Sequence, residues 1–234
     1  MRSHVPRGQA VVGALVALAA GVLVAGVLAA CGGDGEAEGT DGRAETAIVE
    51  TRRLPDPKDL VPRLSDLPSG YVIDASDTGS VSLADELEFA EGEEASLLEE
   101  EFVSGYSIGF ESTEELAMES PQYLSCEATV FRSSGGAQQV FGLRLDAFEE
   151  NPFGDFAEEF ESVEVEPVSI DERLGDENHA FVMVTGLFSG FTVSWRDDML
   201  LGLCVAAGVV SVELSDPVIE LAQAQQARFA RALT

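Results

Sequence analysis

The side chains best suited to acid–base chemistry here are carboxylates, and 43 Asp and Glu in 234 residues are too many to point to one place. Runs such as Glu99-Glu100-Glu101, Glu158-Glu159 and Asp197-Asp198 arise from abundance alone. They read as solvated faces rather than as the spaced acid/base pair of a glycosidase. Beyond the N-terminal segment the only His is His179, so a Ser-His-Asp site would have to use it. No Gly-x-Ser-x-Gly elbow, P-loop, EF-hand loop or His-Glu-x-x-His motif accompanies it. His179 reads as a turn residue after Asp176 and Glu177, entering a strand at Ala180. Without Cys-x-x-Cys or a second His, a zinc or redox centre is not expected. Acid clusters attract cations, but no spaced loop supplies the oxygens that Ca²⁺ requires. The sequence therefore nominates no catalytic, cofactor-binding or metal-ligating residue.

Composition narrows the classes. A formal charge of -30 repels phosphate and excludes a nucleic-acid binder, while 45% apolar residues exclude a disordered chain. Arg outnumbers Lys by 12 to 1, and the acid excess fits either a salty habitat or a base-composition bias.

Arg2 and Arg7 precede Ala10 to Ala30, an uncharged apolar run, which is the order of a signal peptide. Length alone would equally fit a permanent transmembrane helix. The boundary separates the two readings, because Leu28, Ala29, Ala30 and Cys31 resemble the lipobox of bacterial lipoproteins. That resemblance implies cleavage between Ala30 and Cys31 and a diacylglyceryl group on the Cys31 thiol. The following residues, Gly-rich and acidic, cannot bury enough surface to offset ordering entropy, so they are expected to form a flexible tether. The expected organisation is a signal peptide over 1–30, a lipidated, acidic tether over 31–50 and one domain over 51–234. Paired acyl chains would anchor the protein to the outer face of the cytoplasmic membrane, or to an outer membrane in a diderm source.

Once Cys31 carries lipid, Cys126 and Cys204 remain, both in apolar strand-like runs of an exported chain. They are expected to pair as one disulfide on neighbouring strands, the alternative being two buried thiols. Asp56-Pro57 opens a short helix, and a strand runs from Tyr71 to Ile73. Residues 82–103 form a helix broken at Gly92. Strands follow around Tyr106–Phe110 and Leu124–Val130. Ala137, Val140, Phe141, Leu145 and Phe148 recur at helical spacing. Four strands are expected near 162–168, 180–186, 191–196 and 199–210, with a hairpin turn at Asp197-Asp198. Trp195 points inward with Phe191 and Val193. Asp216, as N-cap, and Pro217 begin a last helix carrying Val218, Leu221, Ala222, Phe229 and Ala232 on one face. Phe153, Phe156 and Phe160 form an aromatic ridge that either covers the sheet edge or docks a partner.

These elements make an α+β domain, with an antiparallel or mixed sheet of about six to seven strands, helices packed on it and a C-terminal helix. Their order, and Leu174-Gly175-Asp176-Glu177 before a strand and hairpin, resemble small secreted domains of the PsbP and mycobacterial LpqN type. That resemblance implies a fold and no functional residue. The expected function is a membrane-anchored, noncatalytic cell-envelope lipoprotein binding an unknown protein or small molecule. The alternatives are an extracytoplasmic carboxylate-dependent hydrolase and a lipid-carrying domain. Cys31→Ser is expected to leave an uncleaved or released precursor, and mass spectrometry of the mature N-terminus checks it: an unmodified Cys31 rejects lipidation.

Overall fold

In the computed structural model, residues 54–87, 90, 92–113, 120–150, 164–170 and 173–234 are described. The signal segment, Ala30, Cys31, the tether and the aromatic ridge at Phe153, Phe156 and Phe160 lie outside them. No described helix is long and apolar enough to cross a membrane.

The chain runs α1 (Pro57–Leu60), a single 3₁₀ turn (Leu64–Asp66), β1 (Tyr71–Val81), α2 (Leu83–Leu87), α3 (Gly92–Glu101), β2 (Phe102–Ser112) and β3 (Tyr123–Phe131). It continues as α4 (Ser134–Glu150), β4 (Glu164–Val168), β5 (Glu177–Thr185), β6 (Phe188–Asp197), β7 (Leu200–Val209) and α5 (Ser215–Ala232). Seven strands form one sheet in the order β1-β2-β3-β7-β6-β5-β4. Every pairing is antiparallel, which decides between the two sheet types left open by the sequence. The fold is α+β.

Period-2 alternation sorts the strands into two faces. The first carries Phe110, Leu124, Cys126, Ala128, Ala180, Phe191, Val193, Trp195, Cys204 and Ala206, and α5 lays Val218, Leu221, Ala222 and Phe229 on it. Cys126 and Cys204 are directly opposed on β3 and β7 with Cα atoms 4.2 Å apart and are joined by a disulfide. Trp195 is fully buried 5.8 Å from the Phe229 ring. Its cross-strand partner is Gly202, where an added Cβ would lie 2.3 Å from the indole, so the absent side chain is what admits the ring. On the second face Phe102, Phe131 and Leu201 meet Leu98, Ala137, Val140 and Phe141 of α3 and α4, covering one end.

Several boundaries move from their expected places, each for a local reason. β1 continues past Ile73 to Val81 because a bulge between Asp74 and Gly79 absorbs turn-forming residues without ending the pairing. The broken helix stops at Glu101, and Gly92, at φ +58, begins its second piece. The β6–β7 turn is Asp198-Met199, one residue later than expected, with Asp198 at φ 53. The last helix begins at Ser215, with Leu214 rather than Asp216 at the cap, leaving Asp216 in the first turn where its charge suits the dipole. His179 lies within β5 opposite Ser194, not in the turn before it. The Gly-Asp-Glu segment is a clamp: Leu174 fills the core, and Gly175 touches the Arg196 backbone so closely that a Cβ would sit 2.2 Å from its carbonyl oxygen. Asp176 then meets the Arg196 guanidinium at 3.1 Å.

Reducing the disulfide, which closes a 78-residue separation, is expected to lower stability by up to about 4–5 kcal/mol in the chain-entropy picture. Gly202→Ala is expected to cost about 1–3 kcal/mol through overpacking against Trp195. Urea unfolding of each sample against the oxidised parent checks both values.

Candidate functional site

Away from its helix-covered end, the second sheet face is floored by small and polar side chains. One cross-strand row runs Ser107, Glu127, Leu203, Ser194, His179, and the next runs Gly109, Ser125, Val205, Thr192, Phe181. Beyond them Tyr123, Ala207 and Gly190 approach Met183 and Phe188.

The β1 bulge brings an acid onto this floor. The Ser76 amide and hydroxyl both donate to Asp74 Oδ1, at 2.8 and 2.6 Å, turning the strand. The Gly109 amide donates to Thr78 Oγ1 at 3.1 Å, replacing a ladder bond, and the Ser107 hydroxyl reaches the Asp77 carbonyl at 3.4 Å. Asp77 thus leans across Gly109. A Cβ at Gly109 would lie 2.9 Å from Asp77 Cβ, 3.0 Å from Asp77 Oδ2 and 3.1 Å from the Tyr123 hydroxyl. Both oxygens are buried, and neither has a hydrogen-bond partner. Burial pushes the Asp77 carboxyl up to about 6, with the Ser125 hydroxyl pulling down and Asp74 adding repulsion.

Glu127 stands on β3 where α4 crosses the floor. Thr129 Oγ1 donates to it at 3.1 Å, and from the opposite face Gln225 of α5 donates to its backbone carbonyl at 2.7 Å. Arg144 of α4 pairs with Glu86 of α2 and, at 3.0 Å, with Glu94 of α3. One guanidinium thereby holds three helices together. Burial raises the Glu127 carboxyl to about 7, and repulsion from Glu86 and Asp77 adds to it, against the pull of Arg144 and Thr129. Burial also raises Glu94, more than Arg144 lowers it. Burial works against the Arg144 charge, but Glu86, Glu94 and Glu127 outweigh it and hold the guanidinium protonated.

None of these groups was nominated by the sequence. Asp77 sits in a stretch resembling a turn, and Glu127 looks like any polar residue alternating with apolar ones. The residues that were nominated for scrutiny fall elsewhere. Glu101 accepts from Ser133 at 2.8 Å, and Asp197 accepts from Gln226 at 2.5 Å. His179 lies 3.7 Å from Glu177 and 5.8 Å, ring to ring, from Phe141. No hydrogen bond joins His179 to Ser194 among the described side chains, so they form no nucleophilic pair. No group of three or more metal-ligating side chains occurs among the described residues.

No family model matches the chain. No curated protein matches its sequence. Among solved structures it is similar to the extracellular domain of PknH from Mycobacterium tuberculosis, at 4% identity and a TM-score of 0.47, over 77% of this chain and 99% of that one. The site is therefore interpreted from its own chemistry.

Both raised carboxyls hold a proton in the folded state that they lose when unfolded, so their contribution to stability falls as pH rises. The fall begins near the ordinary carboxylate range and is complete above about 6 for Asp77 and about 7 for Glu127. Asp77→Asn and Glu127→Gln are each expected to stabilise the protein at pH 8 by on the order of 1–2 kcal/mol, discounted for partial exposure, and by much less at pH 4. Urea unfolding at the two pH values checks the sign, and equal effects at both would contradict the shifts.

Proposed function

We propose that this protein is an extracytoplasmic, lipid-anchored, noncatalytic lipoprotein that binds a small ligand on the second face of its sheet. The observation that carries the binding site is the array of Ser107, Ser125, Glu127, Thr192 and Ser194 hydroxyls and carboxyl. It lies on the sheet face onto which α3 and α4 pack. Such an array gathers several hydrogen-bonding groups on one sheet face, the chemistry a recognition surface needs. The Cys126–Cys204 bridge supports an oxidising compartment, since disulfides persist there and are rare in reducing cytosol. Lipid on Cys31 would supply the anchor, and the tether would hold a strongly acidic domain away from an anionic bilayer.

A second reading, hydrolysis by carboxylates, is favoured by Asp77 and Glu127, two raised carboxyls on one face. A lipid-carrying role has less support, because Trp195, Phe229, Phe110 and Leu221 fill the space between the first face and α5.

Hydrogen exchange of the full chain in detergent, with and without a small-molecule extract of its own envelope, separates these readings. Expected is protection of β2, β3 and β6 amides by a ligand that mass spectrometry recovers unchanged. Recovery as a cleavage product would establish the hydrolase, and protection confined to the first face would establish the lipid carrier. No protection would reject a ligand on the second face.

A further inference from the structure

We propose that α2 is a pH-released strap, tied down by the Glu86–Arg144 pair and let go when Glu127 on the sheet takes its charge. The inference is independent of what binds the second face, because it concerns the helical cover and needs no ligand.

The first support is a count of charges. Glu86 from α2, Glu94 from α3 and Glu127 from β3 share one cation, Arg144 of α4. The Glu86 and Glu94 side chains are each 8% exposed, and both touch the guanidinium, Glu94 at 3.0 Å. Those two anions already exceed its single charge. Glu127 has the Thr129 hydroxyl at 3.1 Å, and the other charged group acting on it, Asp77 of β1, is negative too. Its row neighbours on β2 and β7, Ser107 and Leu203, are uncharged, and Gln225 of α5 reaches only its backbone carbonyl. His179 stands three strands along the row, roughly 14 Å away at the usual strand spacing. No second cation among the described residues faces Glu127. Proton loss there leaves three anions around one guanidinium in a poorly hydrated place, where like charges repel strongly.

The second support is that one piece of the cover is fastened weakly. Leu98 of α3 and Ala137, Val140 and Phe141 of α4 are buried against Phe102, Phe131 and Leu201. By contrast α2 has five residues and fully buries no apolar side chain, since Leu83 and Leu87 are only partly covered. Its cap, Ser82 with Asp85, lies within the same segment and ties it to nothing else. The Glu86–Arg144 pair is therefore the charged tie between α2 and its neighbours. An ionised Glu127 works against that tie twice, by repelling Glu86 and by drawing on the guanidinium. Burial is the main reason Glu127 keeps its proton up to about 7, and Glu86 is the next. Releasing α2 rehydrates the carboxyl and removes Glu86, returning Glu127 toward its ordinary value of 4.5. The advantage of the closed cover is thus complete below that ordinary value and is lost as pH rises through about 7. Full relief would shift the opening equilibrium by at most roughly 300-fold. Glu94, also raised by burial, acts in the same direction.

Hydrogen exchange of the full chain in detergent at pH 5 and pH 8, with each amide rate divided by its unprotected rate at that pH, tests the strap. Expected is at least a tenfold loss of protection at the Glu86 and Leu87 amides on going to pH 8, the Glu86 amide being bonded to the Ser82 carbonyl in the closed form, with β3 and β7 amides unchanged. Glu127→Gln, which still accepts from Thr129, is expected to keep α2 protected at both pH values, and Glu86→Gln to leave it unprotected at both. In the parent, the Glu127 carboxyl ¹³C resonance is expected to titrate with the same midpoint as the α2 protection. The proposal is overturned by equal α2 protection at the two pH values in the parent, by separate midpoints, or by a pH-dependent loss that survives in Glu127→Gln. A loss shared equally by β3 and β7 overturns it as well, because that is global unfolding.

Discussion

The pairing of β3 with β7 is the contact on which the rest of the molecule depends. β1-β2-β3 is one antiparallel meander and β4-β5-β6-β7 another, each built from strands adjacent in sequence, and they meet only along this seam. Closing it brings together residues 78 positions apart, a loop-closure cost recovered only when the seam forms. The disulfide lies across this seam. Gln225 reinforces the same place from α5, reaching through to the Glu127 carbonyl on β3. Loss of the seam would leave two small sheets, each with an exposed edge and half a core.

The two faces of the joined sheet do different work. The first is aliphatic and aromatic and buries α5 against Trp195 and its neighbours, so it carries stability. The second is packed at one end by α3 and α4 and elsewhere keeps small, hydroxylated or acidic side chains. A face that buries less apolar surface than the first, yet holds partly buried carboxyls at an electrostatic cost, is where recognition is most naturally placed. The sheet's outer edges are guarded: Pro167 interrupts β4, and the bulge with its two Asp twists β1 away from regular pairing.

In a chain this acidic the scarce resource is positive charge, and Arg144 shows how it is used. It gathers Glu86 and Glu94 from two short helices and faces Glu127 on the sheet. That guanidinium offsets part of the cost of burying Glu94 and Glu127. Arg228 plays a smaller version of the part, joining α5 to Asp66 at 2.6 Å. Structure and electrostatics are therefore coupled, since the cation that docks the helices is the one that faces Glu127 on the sheet.

Local patterning determined a good deal. The alternation of Phe191, Val193 and Trp195, the apolar run after Met199, the helical spacing of Ala137 to Leu145 and the break at Gly92 each depend on a period or a backbone preference within one segment. Each is present in the structure. The alternating small residues around Cys126 and Cys204 also marked strands that could lie side by side. Tertiary structure alone decided the site. Asp77 lies in a segment whose composition signals a turn, and only pairing with β2 converts it into a bulge that swings the carboxyl over Gly109. Glu127 has an unremarkable neighbourhood in sequence; its raised affinity for a proton comes from α2, α3 and α4 folding over it. Tyr123, opposite Glu111, brings its hydroxyl over Gly109, the diagonal neighbour on β2 whose missing side chain leaves it room. Periodicity reports which way a side chain points along its own strand, whereas desolvation and charge depend on what distant segments bring within a few ångströms.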